Sequence, residues 1–256
     1  MALQAARRHP AILAALLACA GLAWWLTIRR MSGMDAGPGT ALGTLGWFTG
    51  SWVLMMAAMM LPSFAPTLAA YVAATGGTAP RRWVSFAGGY LLAWALAGVL
   101  AYGLFELGKD LLAGALAWHA GGRWAAGGVL AAAAAYQLVP LKQTCLARCR
   151  GELGEPRSEA RNGALAQGVR SGGWCIGCSW GLMAALFALG VMSLTWMALI
   201  AGLVALEKTG PWPLAARLAA AGVLAALAVG LLVAPHSVPG LVVPGSGPMH
   251  AMNTMG

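Results

Sequence analysis

Long apolar runs, separated by short polar ones, govern what this chain can become. Seven of them come near the roughly 20 residues that a helix needs to cross a hydrocarbon core: 10–28, 45–71, 83–104, 124–141, 174–189, 192–206 and 214–233. They are continuous rather than alternating with a period of two, which excludes a β-barrel. Charged residues are only 9% of the 256, against about a quarter in soluble domains, and mean hydropathy is +0.73. A water-soluble enzyme and a disordered chain are both excluded. The expected fold is an all-α, polytopic helical membrane protein with about seven transmembrane helices. It forms a single transmembrane domain over 1–235, with an inner loop at 142–171 and a flexible outer tail at 236–256.

The positive charges fix the expected orientation, because loops rich in Lys and Arg resist translocation. With the N-terminus inside, Arg7, Arg8, Arg81, Arg82, Lys142, Arg148, Arg150, Arg157, Arg161, Arg170, Lys208 and Arg217 fall inside, and only Arg29, Arg30, Lys109 and Arg123 fall outside. The C-terminus is then outside, and a bacterial inner membrane is the expected location. The net charge of +9 thus has a topological meaning, and no nucleic-acid partner is expected. Arg7 and Arg8 before an Ala/Leu run resemble a signal peptide, with Ala18, Cys19 and Ala20 as a cleavage site. The run continues through Trp24, Trp25 and Ile28, as in an uncleaved anchor. Pro62 and Pro66 predict a kink or break in the second span. No dinucleotide fingerprint, P-loop or nucleophile elbow occurs, and no enzyme activity is expected.

Two sulfur-bearing groups stand out. In the second span, helical spacing stacks Met55 over Met59 and Met56 over Met60. Thioether sulfur is a soft, neutral ligand suited to Cu(I), although Met also serves as a plain gap filler in helix bundles. Cys145 and Cys149 then precede Cys175 and Cys178, a Cys-x-x-Cys pair, and four thiolates at the inner face suit zinc, Cu(I) or an iron–sulfur cluster. The same atoms could exchange disulfides, while Cys19 stands alone as a small apolar residue.

On the outer side, Met31, Met34 and Asp35 follow the first span, and His236, Met249, His250, Met252 and Met255 lie in the tail. Met and His in a flexible segment suit capture of copper ions, and composition alone explains them equally well. Glu207 and Lys208 read as a pair or as residues snorkelling to the interface at the end of the sixth span. Glu106, Lys109, Asp110 and His119 read as solvated charges of an outer loop.

One set of residues carries a family resemblance: Trp52, Met55, Ala58, Met59, Met60, Leu61, Pro62, Ser63 and Pro66; Tyr136, Gln137, Pro140, Leu141, Lys142, Cys145, Leu146, Cys149 and Arg150; Gly173, Cys175, Gly177, Cys178, Trp180, Leu182 and Met183; Gly190, Val191, Met192, Trp196, Met197, Glu207 and Lys208. In these the chain resembles a bacterial family of predicted metal-binding integral membrane proteins, over about residues 50–210. The resemblance implies a helical membrane fold and copper handling without naming a reaction. It also implies a second Cys after Cys178, where this chain has Ser179.

The expected function is therefore membrane copper handling: Cu(I) binding, chaperoning or passage. Met249, His250 and Met252 would collect the ion outside. Met55, Met56, Met59, Met60, Met183, Met192 and Met197 would offer thioethers within the bundle, and Cys145, Cys149, Cys175 and Cys178 would hold the ion inside. Expected partners are the lipid bilayer and a periplasmic or cytoplasmic metallochaperone or metalloenzyme. Two other readings use the same sequence: a membrane thiol–disulfide relay, and a non-catalytic subunit that assembles a metalloenzyme through Gly-rich helix faces.

Overall fold

The computed structural model describes residues 10–31, 43–75, 80–112, 122–150, 163–190 and 193–234. Among them there are helices and no strands: α1 (Pro10–Met31), α2 (Leu45–Thr75), α3 (Pro80–Leu112), α4 (Arg123–Tyr136), α5 (Pro140–Cys149), α6 (Ala164–Leu189), α7 (Leu194–Thr209) and α8 (Pro213–Val233). Each of the seven apolar runs lies mainly on helix among the described residues. Five helices, α1, α2, α3, α6 and α8, are long and apolar enough to cross a membrane, and α4 with α5 makes a sixth if that bent pair is one span. The protein is on this ground a helical membrane protein.

Four expectations are corrected by the backbone. Residues 124–141 do not form one straight span: the helix stops at Tyr136 and resumes at Pro140, with a bend of 69° between α4 and α5. Proline cannot donate a backbone hydrogen bond and disfavours helix in the residue before it, so Val139 is extended (φ −68°, ψ 137°) and Pro140 opens a new helix. The stretch 142–171, expected as a polar loop, contains the rest of α5 and the first turns of α6. Conversely, α2 continues as one helix through Pro62 and Pro66, so the expected alternative of a break does not occur, and the Ser63 hydroxyl donates to the Met60 carbonyl at 3.0 Å. Glu106, Lys109 and Asp110 belong to the last turns of α3 and not to a loop.

Helix α6 is the hub, packing on α3, α4, α5 and α7, while α2 joins α1, α3 and α7, and α8 covers α4 and α7. The α3–α6 contact is backbone on backbone. A Cβ added at Gly89 would stand 2.2 Å from the Leu165 carbonyl oxygen, one at Gly168 would stand 2.0 Å from that of Phe86, and one at Gly172 would stand 2.6 Å from Ala93 Cβ. Gly168 and Gly172 are four apart on one face, the small-residue spacing that lets membrane helices approach. Tyr90 and Cys175 lie within one turn of this crossing and are brought together by it. At the far end of α6, Gly190 takes φ 115°, a conformation open to glycine, and this turns the chain back into α7.

Candidate metal centre

The buried interior is unusually polar at one place, where α2, α3, α5, α6 and the last turn of α7 meet. Cys149 ends α5, and Cys175 and Cys178, three apart on α6, share a face. Their Sγ atoms all lie within 4.8 Å of one another. Two sulfurs on opposite sides of a metal bonded at about 2.3 Å would be about 4.6 Å apart, so this spacing fits one ion held between thiolates. Cys175 and Cys178 are buried and Cys149 is half-buried.

Hydrogen bonds hold the backbone that carries the sulfurs. The Thr67 hydroxyl of α2 donates to the Cys149 carbonyl at 3.2 Å. Tyr136 donates to the Gly177 carbonyl at 2.6 Å, and Ser179, at the position of the expected second Cys, donates to the Cys175 carbonyl at 2.6 Å. The Tyr90 hydroxyl is 3.0 Å from Cys175 Sγ. Its ring is held in a stack that alternates between α2 and α3: Tyr71 on Phe86 (4.3 Å), Phe86 on Phe64 (5.5 Å) and Phe64 on Tyr90 (4.1 Å). Such a stack contributes about 0.5–1.5 kcal/mol per pair beyond burial.

Two consecutive residues of α7 divide the charge. Glu207 turns to Lys142, whose Nζ donates to its two carboxylate oxygens at 2.8 and 2.7 Å and also to the Gln137 side chain. Lys208 turns the other way, and its Nζ lies 2.8 Å from Cys175 Sγ and 3.8 Å from Met60 Sδ. All three are buried, with 1% (Lys142), 2% (Glu207) and 9% (Lys208) of their surface exposed. The reading of Glu207 and Lys208 as a mutual pair or as snorkelling residues is thus corrected. Arg150, next to Cys149, donates to the carbonyls of Glu207 (2.8 Å) and Gly210 (3.1 Å). That contact satisfies the open carbonyls at the C-terminus of α7 and ties the end of α5 to the end of α7.

Of the four cysteines singled out by spacing, three converge. Cys145, one turn before Cys149, stands outside the group: it packs with Leu146 and Cys178 beside Trp174, near enough to Gly177 that a Cβ there would meet its sulfur at 3.0 Å. Met55, Met56, Met59, Met60, Met183 and Met197 are all buried in the core. Met60 Sδ comes within 4.0 Å of Cys175 Sγ. Met34, Met192, His236, Met249, His250, Met252 and Met255 lie outside the described residues. Cys19 is exposed on α1, away from the group. Sequence spacing missed Tyr90 and gave Lys142, Glu207 and Lys208 no site role. The Gly168 and Gly172 spacing was the available signal for the contact that delivers Tyr90.

Comparison with known proteins adds one finding. A family model described as "PpoB2: Copper chaperone" matches residues 49–233. No curated protein and no solved structure matches.

Proposed function

The chain belongs to this copper chaperone family, and from that premise we propose that it binds Cu(I) in the membrane through Cys149, Cys175 and Cys178. The observation that carries the reading is the convergence of three sulfurs within 4.8 Å from two separate helices. Thiolate is the ligand type that selects a soft ion such as Cu(I), and among the described residues the group contains thiols alone. Met60 supplies a fourth, neutral sulfur at its edge. Zinc is the second choice, disfavoured because a closed zinc site takes four ligands of thiolate or imidazole type.

The remaining ligands form an approach to this centre in the same reading. Met55, Met56, Met59, Met183 and Met197, buried in the core, offer thioethers together with Met192, and Met249, His250 and Met252 of the tail take up the ion outside. Cys145 is a neighbour that receives or passes on the ion. Seven spans with the N-terminus inside, in a bacterial inner membrane, put the cysteine centre at the inner face. An ion moving from thioether to thiolate then moves toward tighter binding. The protein hands copper to, or takes it from, a metallochaperone or metalloenzyme.

Three thiols this close would also serve a thiol–disulfide relay. Metal analysis of the detergent-purified, reduced protein separates the two. Stoichiometric copper in the wild type, lost in Cys175→Ser/Cys178→Ser, is the expected result. A wild type that takes up no metal from supplied Cu(I), yet forms a Cys149 disulfide under mild oxidant, would replace the copper reading with the relay.

A further inference from the structure

The second buried lysine has no acidic partner among the described residues. Among the described residues no carboxylate lies in salt-bridge range of Lys208, and its ammonium instead faces Cys175 Sγ at 2.8 Å and Met60 Sδ at 3.8 Å. A buried ammonium without compensation is costly, and a core that needed only packing at this point would be served by an apolar side chain. Lys142, a few residues from Cys145, shows how the same fold neutralises a lysine: its carboxylate partner is in place.

We propose that Lys208 is the counter-cation of the copper–thiolate centre. Cu(I) carries one positive charge, so two thiolates around it leave the assembly with one negative charge, and three leave it with two. In either case the bound centre is an anion in a low-dielectric interior, where an opposite charge at close range matters far more than in water. The Lys208 ammonium is already beside the sulfur that the ion would use, held there by the α7 terminus that Arg150 closes. Met60 and Tyr90 are neutral and cannot provide that charge. Lys208 thus acts on affinity as a positioning residue without being a ligand.

This inference rests on the copper reading of the cysteine centre, and its test is chosen to fail separately from it. Purified, reduced wild type, Lys208→Met and Lys208→Arg are titrated with Cu(I) against a competing chelator. Binding is followed by the ultraviolet sulfur-to-copper charge-transfer band, and the fold by circular dichroism. The expected result is a Cu(I) affinity at least about tenfold weaker in Lys208→Met and within about threefold of wild type in Lys208→Arg. A folded Lys208→Met that binds as tightly as wild type overturns the inference. So does an equal loss in folded Lys208→Met and Lys208→Arg, which would mean that shape and not charge is needed. If Lys208→Met fails to fold, Lys208→Gln is compared with Lys208→Arg by the same criteria. A wild type that binds no Cu(I) would instead defeat the copper reading itself.

Discussion

Lys142 and Lys208 are two buried lysines, the first paired with Glu207 and the second Glu207's own neighbour on α7, and they are treated in opposite ways. Lys142 is closed off inside a carboxylate and amide set from Glu207 and Gln137. Lys208 is directed at sulfur. The first arrangement is complete as it stands, with every strong acceptor occupied. The second places a charge beside atoms that are themselves ligands. The difference separates a part of the core that holds the helices together from a part arranged around something that arrives later.

Breaking the complete set has the largest effect. Glu207→Ala strands the Lys142 ammonium, and unfolding in detergent should show a loss of about 3–5 kcal/mol. Lys142→Met/Glu207→Leu should recover most of it, because an apolar replacement of a whole buried pair is close to neutral. If the double variant is as unstable as the single one, the pair does more than hold the helices. Next in size is Gly168→Ala, whose new methyl collides with the Phe86 carbonyl. It should cost about 3 kcal/mol of stability through overpacking and lower copper content as well, since the α3–α6 crossing sets Tyr90 against Cys175. Full copper content in a destabilised Gly168→Ala would show that the crossing does not organise the centre.

The same contrast explains what the sequence made legible. Apolar runs are local, so helix could be expected along most of their length without knowing how they pack. The hinge at Gln137–Val139 was hidden because the apolar run continues through Leu138, Val139 and Leu141, although Pro140 marked it. The cysteine pairs were visible as spacing, and spacing on a helix correctly put Cys175 with Cys178. It could not choose between Cys145 and Cys149, because residues four apart share a face, and the choice is made by the Arg150 and Thr67 contacts from other helices. Lys208 looked like an interfacial residue because α7 ends there. Its burial depends on α2, α5 and α6 packing around that end, and no window along the chain reports this. Tyr90 carries no motif at all and reaches the centre only through glycines on a different helix.

The central claim, that Cys149, Cys175 and Cys178 form one copper centre and Cys145 lies beside it, is tested most directly by comparing Cys149→Ala with Cys145→Ala. Both exchanges remove a small side chain and should change stability by no more than about 1–2 kcal/mol. Copper content and Cu K-edge absorption on the reduced proteins should show a sulfur-only ligand shell and full loading in wild type and Cys145→Ala, and loss of loading or of a sulfur ligand in Cys149→Ala. An unchanged spectrum and full loading in Cys149→Ala, with loss in Cys145→Ala, would contradict the account.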